Sequence, residues 1–173
     1  KFHSSFEPER EIQDLLRNLD FMKVSGRIYD LLEPALGAAA PDDASVICIK
    51  EICRSTNELM VWFTENNPTN QELVFEKLNF FLDTLDAGIG SHNVVPAIFT
   101  NNEEMMDRCP LENIRVMIDK VCMNGRHHDY LMLLASITTV GEKNIQENQF
   151  EIVKYITNPG RLRSIVAYFC GPS

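Results

Sequence analysis

The amino-acid sequence predicts an all-α domain built as a short solenoid of stacked helices. Three observations support this prediction. Apolar residues recur at three- and four-residue intervals along almost the whole chain, one segment is apolar on nearly all sides, and a short motif occurs twice. With 173 residues, the chain is long enough for one domain or for part of a larger repeat array. We therefore expect residues 1–173 to form a single helical domain.

In the first half of the chain, the predicted helices are separated by polar or proline-containing turns. The first covers about residues 9–20 and the second about 24–32, ending near Pro34 because proline disfavours helix in the residue before it. After a loop at 37–43, Asp43 or Ser45 caps a helix that continues to Phe63, and a further helix covers about 70–85. The buried stripes are predicted to be Ile12, Leu15, Leu16 and Leu19 in the first, Ile49, Ile52, Leu59 and Phe63 in the third, and Val74, Leu78, Phe81 and Leu85 in the fourth.

The second half begins with two short predicted helices, at about 94–99 and 103–108. Pro110 then starts a helix that ends at Gly125. Residues 129–140 are apolar on nearly all sides, which predicts a central helix covered by neighbours on both sides. Another helix at about 145–157 and an apolar stretch at 165–169 follow. The side chains expected to be buried are Leu111, Ile114, Ile118 and Val121 in the helix after Pro110, and Leu131, Leu134 and Ile137 in the central helix, as one seam against 110–124 and 145–157.

The motif Gln-Glu-x-x-Phe-Glu occurs at 71–76 and again at 146–151, 75 residues later. Armadillo and HEAT units are about 40–47 residues long, so this offset is close to two units. The repeat therefore favours an armadillo- or HEAT-like solenoid of about eight to ten helices over a closed bundle.

The charge of the chain disfavours several classes of partner. The formal net charge is −9, and residues 1–86 carry 8 basic and 16 acidic side chains. An acidic surface repels phosphate backbones and anionic lipids, so we expect neither nucleic-acid binding nor membrane contact. No run of apolar residues approaches the roughly 18–20 needed to span a bilayer.

The cysteines indicate the redox environment of the chain, and its first residues indicate whether it is part of a longer protein. The number of cysteines is five, none of them in Cys-x-x-Cys spacing, which favours a reducing, cytosolic environment without disulfides. The start, Lys1 to Ser5, is neither a signal peptide nor an initiator methionine, so a piece of a longer protein is expected.

A search for chemistry finds no catalytic, cofactor-binding or metal-binding residues, and we predict that the chain is not an enzyme. Gly88-x-Gly90 is too short for a dinucleotide loop and is interpreted as a turn. His127 and His128 are adjacent and would point about 100° apart on a helix, so a cap that includes Asp129 is favoured over a zinc site. Cys122 lies among apolar residues, where a thiol stays protonated.

Three further features also favour structural interpretations. The carboxylates of Glu103, Glu104 and Asp107 form a solvated helix face rather than a calcium loop. A single tryptophan, Trp62, and scattered aromatic residues do not make a platform for stacking bases. Core packing is favoured over an adaptable binding groove for the methionines Met105, Met106, Met117, Met123 and Met132.

Six short strings of the sequence together point to a known family. They are Leu-Leu-Arg-Asn-Leu at 15–19, Trp-Phe-x-x-Asn-Asn-x-x-Asn-Gln-x-Leu at 62–73, Asn-Phe-Phe-Leu at 79–82, Ile-Phe-x-Asn-Asn at 98–102, Gly-Arg-x-x-Asp-Tyr-Leu-x-x-Leu at 125–134 and Gly-x-Lys-x-Ile-Gln-x-x-Gln at 141–149. In this order, the strings resemble the central helical domain shared by inositol trisphosphate receptors and ryanodine receptors, and they are closer to the former. Glu142 stands between Gly141 and Lys143, where the family tends to have the two adjacent, which indicates a divergent receptor.

The resemblance implies the RIH domain of a homotetrameric calcium-release channel, on the cytosolic face of the endoplasmic reticulum membrane. Its partners would be other domains of the same subunit and neighbouring subunits. In the family, inositol trisphosphate is held elsewhere by a basic pocket. Arg161 and Arg163 are the nearest basic pair here, and two cations are too few for three phosphates, so we expect no direct binding of this ligand.

Two function classes follow. The first is a non-catalytic regulatory domain of a ligand-gated calcium-release channel, which relays the change caused by the ligand toward the pore. The alternative is a free-standing armadillo or HEAT adaptor that holds peptides in its concave groove. An adaptor is expected to show a ladder of exposed asparagines or aromatic residues at repeat spacing, and the sequence analysis finds none.

Overall fold

The computed structural model describes residues 10–38, 43–124, 128–140 and 143–158. They form eleven α-helices, a turn of 3-10 helix at Leu85–Ala87 and two short strands. The helices are α1 (Arg10–Asn18), α2 (Phe21–Tyr29), α3 (Leu32–Ala38), α4 (Ala44–Thr64), α5 (Pro68–Phe75), α6 (Leu78–Asp83), α7 (Ser91–Phe99), α8 (Glu103–Asp107), α9 (Leu111–Asn124), α10 (His128–Ser136) and α11 (Gln146–Ile156). The all-α prediction is confirmed. No helix of these residues is long and apolar enough to cross a membrane.

The helices pack in the order of the chain, as in a solenoid. Helix α4 lies against α7, and α7 lies against α10, so these three helices follow one another through the molecule. Helices α5 and α6 pack on α7, and α9 contacts α6, α10 and α11. One apolar core extends through these layers, from Phe21 and Phe63 to Ile118 and Ile152. If α4, α7 and α10, each with the helices packed beside it, are taken as successive layers, each layer contacts mainly its neighbours, which is the defining property of a repeat array.

Proline and capping residues explain several helix boundaries. Asp43 caps α4 as predicted, because its side chain accepts a hydrogen bond from the backbone N–H of Ser45. The helix predicted at 24–32 with a stop near Pro34 is wrong in its end, because α2 ends at Tyr29 and a separate helix, α3, includes Pro34 and extends through Gly37. Pro34 is the third residue of α3, in the first turn, where its missing N–H would have no partner within the helix.

Two predicted helices are shorter than expected. The segment predicted as one helix at 70–85 is divided into α5 and α6, although Val74, Leu78, Phe81 and Leu85 are all buried as predicted. The predicted helix at 129–140 ends at Ser136. Strand β1 (Thr139–Val140) then pairs antiparallel with β2 (Lys143–Asn144), with Thr139 opposite Asn144 and Val140 opposite Lys143. The β-branched residues at 137–140 favour this extended backbone.

The predicted apolar stripe of α1 is wrong for three of its four residues. Leu16 is half-buried and packs against the core, but Ile12, Leu15 and Leu19 are exposed, whereas Gln13 is 1% exposed. Helix α4 shows a similar departure, because Phe63 is fully buried but Ile52 and Leu59 are exposed. The buried side of α1 thus combines the partly buried Leu16 with the hydrogen bonds of Gln13.

The prediction that the α10 helix is covered on both sides is also wrong within the described residues. Leu134 and Ile137 are buried, but Leu131 and Met132 are 44% and 47% exposed. Helix α10 packs mainly on α7 and α9, not on the segment 145–157. In α9, Ile114 and Ile118 are buried as predicted, whereas Leu111 is exposed. The apolar stretch at 165–169 lies outside the described residues.

Candidate functional site

Two sets of residues considered as possible sites in the sequence, the glycines at 88 and 90 and the carboxylates of α8, have the structural positions predicted for them. Gly88 and Gly90 form a turn in which both have positive φ, 73° and 81°. Glu103, Glu104 and Asp107 are exposed on α8, as a solvated face requires. Among the described residues, no group of three or more histidine, cysteine, aspartate or glutamate side chains could hold a metal ion.

The predicted cluster at 127–129 is only partly described. His127 lies outside the described residues, as do Arg161 and Arg163, and α10 begins at His128. The Oδ2 atom of Asp129 lies 3.4 Å from Nε2 of His92, at the contact between α10 and α7. Burial raises the pKa of the Cys122 thiol, in agreement with the prediction that it stays protonated.

The other titrating groups of the core are also held neutral. Burial raises the pKa of Cys109 to about 12. Burial, followed by its hydrogen bond to Asp86, raises the pKa of Tyr130 to about 12, and burial also raises that of Tyr29. Both tyrosines therefore act as O–H donors, Tyr130 to Asp86 Oδ1 and Tyr29 to Asn57 Oδ1, each over 2.6 Å. The described cysteines, 48, 53, 109 and 122, are free thiols.

The methionines are divided between core and surface. Met105, Met106 and Met117 are almost fully buried, which confirms the packing role predicted for them. Met123 and Met132 are 75% and 47% exposed, so that prediction is wrong for these two.

The most specific polar arrangement in the structure is a buried glutamine that joins three helices. The Nε2 atom of Gln13, in α1, donates to the carbonyl oxygens of Trp62 (2.8 Å) and Glu65 (3.0 Å) at the C-terminal end of α4. Its Oε1 atom accepts from Nδ2 of Asn67 (2.9 Å), which is the N-cap of α5. We call this the first amide junction.

The same arrangement occurs a second time, one layer further along. The Nε2 atom of Gln71, in α5, donates to the carbonyl oxygens of Ala97 (3.0 Å) and Thr100 (2.8 Å) at the C-terminal end of α7. Its Oε1 atom accepts from Nδ2 of Asn102 (2.9 Å), the N-cap of α8. This is the second amide junction, and each of its three bonds has a counterpart in the first.

The backbone of the two connecting turns repeats as well. Glu65 and Thr100 have φ and ψ of −58°, 124° and −56°, 121°. The next residues, Asn66 and Asn101, are left-handed, with φ of 53° and 58°, a conformation that asparagine tolerates. All equivalent turn positions are 35 residues apart in the chain. The repeat unit is thus a pair of helices linked by an Asn-Asn turn, first α4 and α5 and then α7 and α8.

A modified third junction follows at α10 and α11. Here Nδ2 of Asn148 donates to the carbonyl oxygens of Ile137 (2.8 Å) and Met106 (3.4 Å), and Nε2 of Gln149 donates to that of Thr138 (3.2 Å). Met106 occupies in α8 the position, four residues after the N-cap, that Gln71 occupies in α5. A methionine side chain cannot donate a hydrogen bond to the carbonyl oxygens at the end of α10. The side-chain amides of Asn148 and Gln149, in α11, donate to them instead.

The sequence analysis did not identify the junctions. It compared Gln71 with Gln146, but Gln146 is exposed. Gln149 lies four residues after the N-cap Ile145 of its helix, which is the position that matches Gln71. The usable signal was the pair of Asn-Asn dipeptides at 66–67 and 101–102. A ladder of exposed asparagines was also predicted to be absent, yet Asn66 and Asn101 are exposed and hydrogen-bonded to each other, Nδ2 to Oδ1, over 2.8 Å.

Stacked helical layers joined by buried amides define the chain as an armadillo-like solenoid module. A comparison with protein-family models matches the RIH domain of ryanodine and inositol trisphosphate receptors over residues 2–162. The chain therefore belongs to this family of channel regulatory domains.

Proposed function

We propose that this chain, as a single module of a larger subunit, relays a ligand-induced displacement toward the pore of a calcium-release channel. The channel would be closer to inositol trisphosphate receptors than to ryanodine receptors. The module would lie on the cytosolic face of the endoplasmic reticulum membrane and contact other domains of its own and neighbouring subunits of a homotetramer. Membership of the RIH-domain family supports the channel part of this proposal.

The amide junctions carry the mechanical part. Each glutamine binds the end of one helix and the start of the next, so a displaced helix must either move its neighbour or break three hydrogen bonds of a buried amide. A buried polar group left without a partner costs about 1–3 kcal/mol, which makes joint movement the cheaper response. Energetic coupling of this kind passes through contiguous packed and hydrogen-bonded elements.

The proposal involves no catalytic step and no ligand held by the module itself. The buried tyrosines and thiols have raised pKa values, and the described carboxylates of α8 face solvent. Its role is therefore to transmit and to hold position, with the activating ligand bound by another part of the subunit.

The adaptor alternative has one observation in its favour, the exposed pair Asn66 and Asn101. Peptide-binding asparagines must present their amides to the peptide. In this pair, Nδ2 of Asn101 already donates to Oδ1 of Asn66, and the two residues lie in turns between helices. The channel proposal therefore accounts for more of the structure.

The test uses the full-length subunit that contains this chain, expressed in cells that lack their own release channels. We expect Gln71→Ala to reduce maximal calcium release while equilibrium binding of inositol trisphosphate is retained. Gln146→Ala, at the exposed residue of the same motif, serves as the control and should leave both unchanged. Normal release from Gln71→Ala channels at equal expression would refute the relay.

A further inference from the structure

An open apolar groove lies between α2 and α3 on one side and α6 on the other. Its volume is about 500 Å³, within the range of ordinary binding sites. Residues from all three helices line it, and Leu36 at its edge is 46% exposed. Neither the proposed relay nor the amide junctions use this surface.

Aromatic rings form the floor of the groove in fixed positions. The ring centroid of Tyr29 lies 4.6 Å from that of Phe80 and 5.9 Å from that of Phe81. The hydroxyl of Tyr29 is held by Asn57, which prevents the ring from turning outward. The floor is thus preorganised, and a partner would lose little free energy in ordering it.

The groove is deepened by Gly26, in the middle of α2. A Cβ atom at this position would meet no atom within 4 Å, and the backbone of Gly26 has no positive φ. Glycine inside a helix costs about 0.5–1 kcal/mol relative to alanine, so neither packing nor backbone geometry requires it here. A second depression also includes Met22, Gly26, Asp30 and Lys77, so the groove continues past α2 toward Leu73.

The rim of the groove is acidic. Asp30, Glu33 and Asp83 line it with exposed carboxylates, and Lys77 is the cation among the described residues of this cavity. The depression past α2 adds the cations Lys23 and Arg27 and the carboxylate of Glu76, so the acidic part of the rim lies at the α3 and α6 end. A partner with basic residues beside its apolar ones would match both the rim and the floor. The continuing, open shape suits an elongated occupant rather than a compact small molecule.

We propose that this groove binds a basic amphipathic helix from another polypeptide segment. The aliphatic or aromatic side chains of that helix would rest on Tyr29 and Phe80. Its lysine or arginine residues would pair with Asp30, Glu33 and Asp83. Binding of an amphipathic helix in an apolar groove, with anchors three and four residues apart, is a recurrent mode of peptide recognition.

The test uses the 173-residue chain and two designed helical peptides of about 18 residues, or about 27 Å. Both carry leucines at i, i+3, i+4 and i+7, and they differ only in having lysine or glutamate at the flanking positions. Titration calorimetry should detect binding of the lysine peptide, weakening as salt is raised, and at least about tenfold weaker binding of the glutamate peptide.

Matched variants locate the binding. Gly26→Leu fills the groove and should weaken binding of the lysine peptide at least about tenfold. Gly37→Leu is the control, since Gly37 also lies in a helix with open space around it but does not line the groove. The triple change Asp30→Asn, Glu33→Gln and Asp83→Asn should weaken binding, whereas Glu58→Gln, Glu112→Gln and Glu147→Gln remove the same charge elsewhere and should not.

Circular dichroism melts of each variant verify folding, and helix propensity favours leucine over glycine at position 26. Equal binding of the lysine peptide to wild type and Gly26→Leu would overturn the proposal. So would equal binding of the two peptides. Dimerisation of the chain that Gly26→Leu abolishes, seen by sedimentation, would assign the groove to a second copy instead. None of these outcomes bears on the calcium-release test.

Discussion

At the scale of single residues, the buried amides of Gln13 and Gln71 combine two opposing free energies. Removing an amide from water is unfavourable, but each of these amides regains two donated bonds and one accepted bond. The carbonyl oxygens that accept them lie at helix ends, where no further helical N–H is available. One side chain thus satisfies groups that α4 or α7 would otherwise leave unpaired.

Substitution of Gln71 by alanine should reveal this contribution. The change leaves the carbonyl oxygens of Ala97 and Thr100 and the amide of Asn102 without their partner, at an expected cost of about 1–3 kcal/mol in the free energy of unfolding. Urea melts measure it. Gln146→Ala, at the exposed residue, should stay within about 0.5 kcal/mol of wild type.

A double-mutant cycle separates the bond from other effects of truncation. If Oε1 of Gln71 and Nδ2 of Asn102 interact as the 2.9 Å distance indicates, Gln71→Ala and Asn102→Ala should be non-additive by at least about 0.5 kcal/mol. Additive values would show that the two side chains do not depend on each other.

Helical periodicity alone could not predict which face of α1 is buried. The apolar residues Ile12, Leu15 and Leu19 share a face that the described residues leave exposed. The face that carries Gln13, next to the half-buried Leu16, meets the C-terminal end of α4, and the polar groups there require a donor, which Gln13 supplies. The terminal groups of another helix are a tertiary property, and a pattern within one helix does not contain them.

At the scale of helices, the burial predicted from apolar spacing matches the structure where neighbouring helices surround the segment, and it fails where they do not. Residues 74, 78, 81 and 85 are buried as their spacing predicts, even though α5 and α6 are separate helices. The division is invisible to periodicity because the apolar positions stay in phase across it. Conversely, α10 is apolar on nearly all sides but is covered mainly by α7 and α9.

The contrast between Leu134 and Leu131 tests this arrangement of α10. Leu134 is 9% exposed, and Leu134→Ala should destabilise the chain by about 2–5 kcal/mol through lost contacts and a cavity. Leu131 is 44% exposed in the same helix, so Leu131→Ala should cost clearly less, and Glu147→Ala should stay within about 0.5 kcal/mol. Chemical denaturation of the three variants provides the comparison. Equal losses at 131 and 134 would mean that α10 is covered on both faces.

At the scale of the whole molecule, the sequence predicted the solenoid class but not its repeat. The two Gln-Glu-x-x-Phe-Glu motifs, 75 residues apart, do not occupy equivalent positions, because Gln71 is buried and Gln146 is exposed. The physical repeat lies in two turns, 35 residues apart, in each of which a left-handed asparagine precedes a capping asparagine. Two residues per turn are too few to stand out from chance in one sequence, and their hydrogen bonds become visible only in three dimensions.

When one amide junction is broken, the backbone amides near it should lose protection against hydrogen exchange, while those in distant helices keep theirs. In a repeat array, each layer is stabilised by its own packing and by the interface with the next layer. Local opening in such structures requires less free energy than global unfolding. Gln13→Ala removes the bonds that fix α1 to the end of α4 and the start of α5, so the amides of α1 and of the α4–α5 turn should exchange hydrogen faster.

Hydrogen exchange of the native chain measures this prediction helix by helix. With Gln13→Ala, protection should fall in α1 and at the α4–α5 turn and stay at the wild-type level in α9 and α11, which contact neither segment substantially. Gln71→Ala should shift the loss to α5, α7 and α8, because its junction joins those helices. An even loss of protection across all helices in both variants would show that the chain unfolds as one cooperative unit. The junctions would then stabilise the whole domain equally rather than linking adjacent layers.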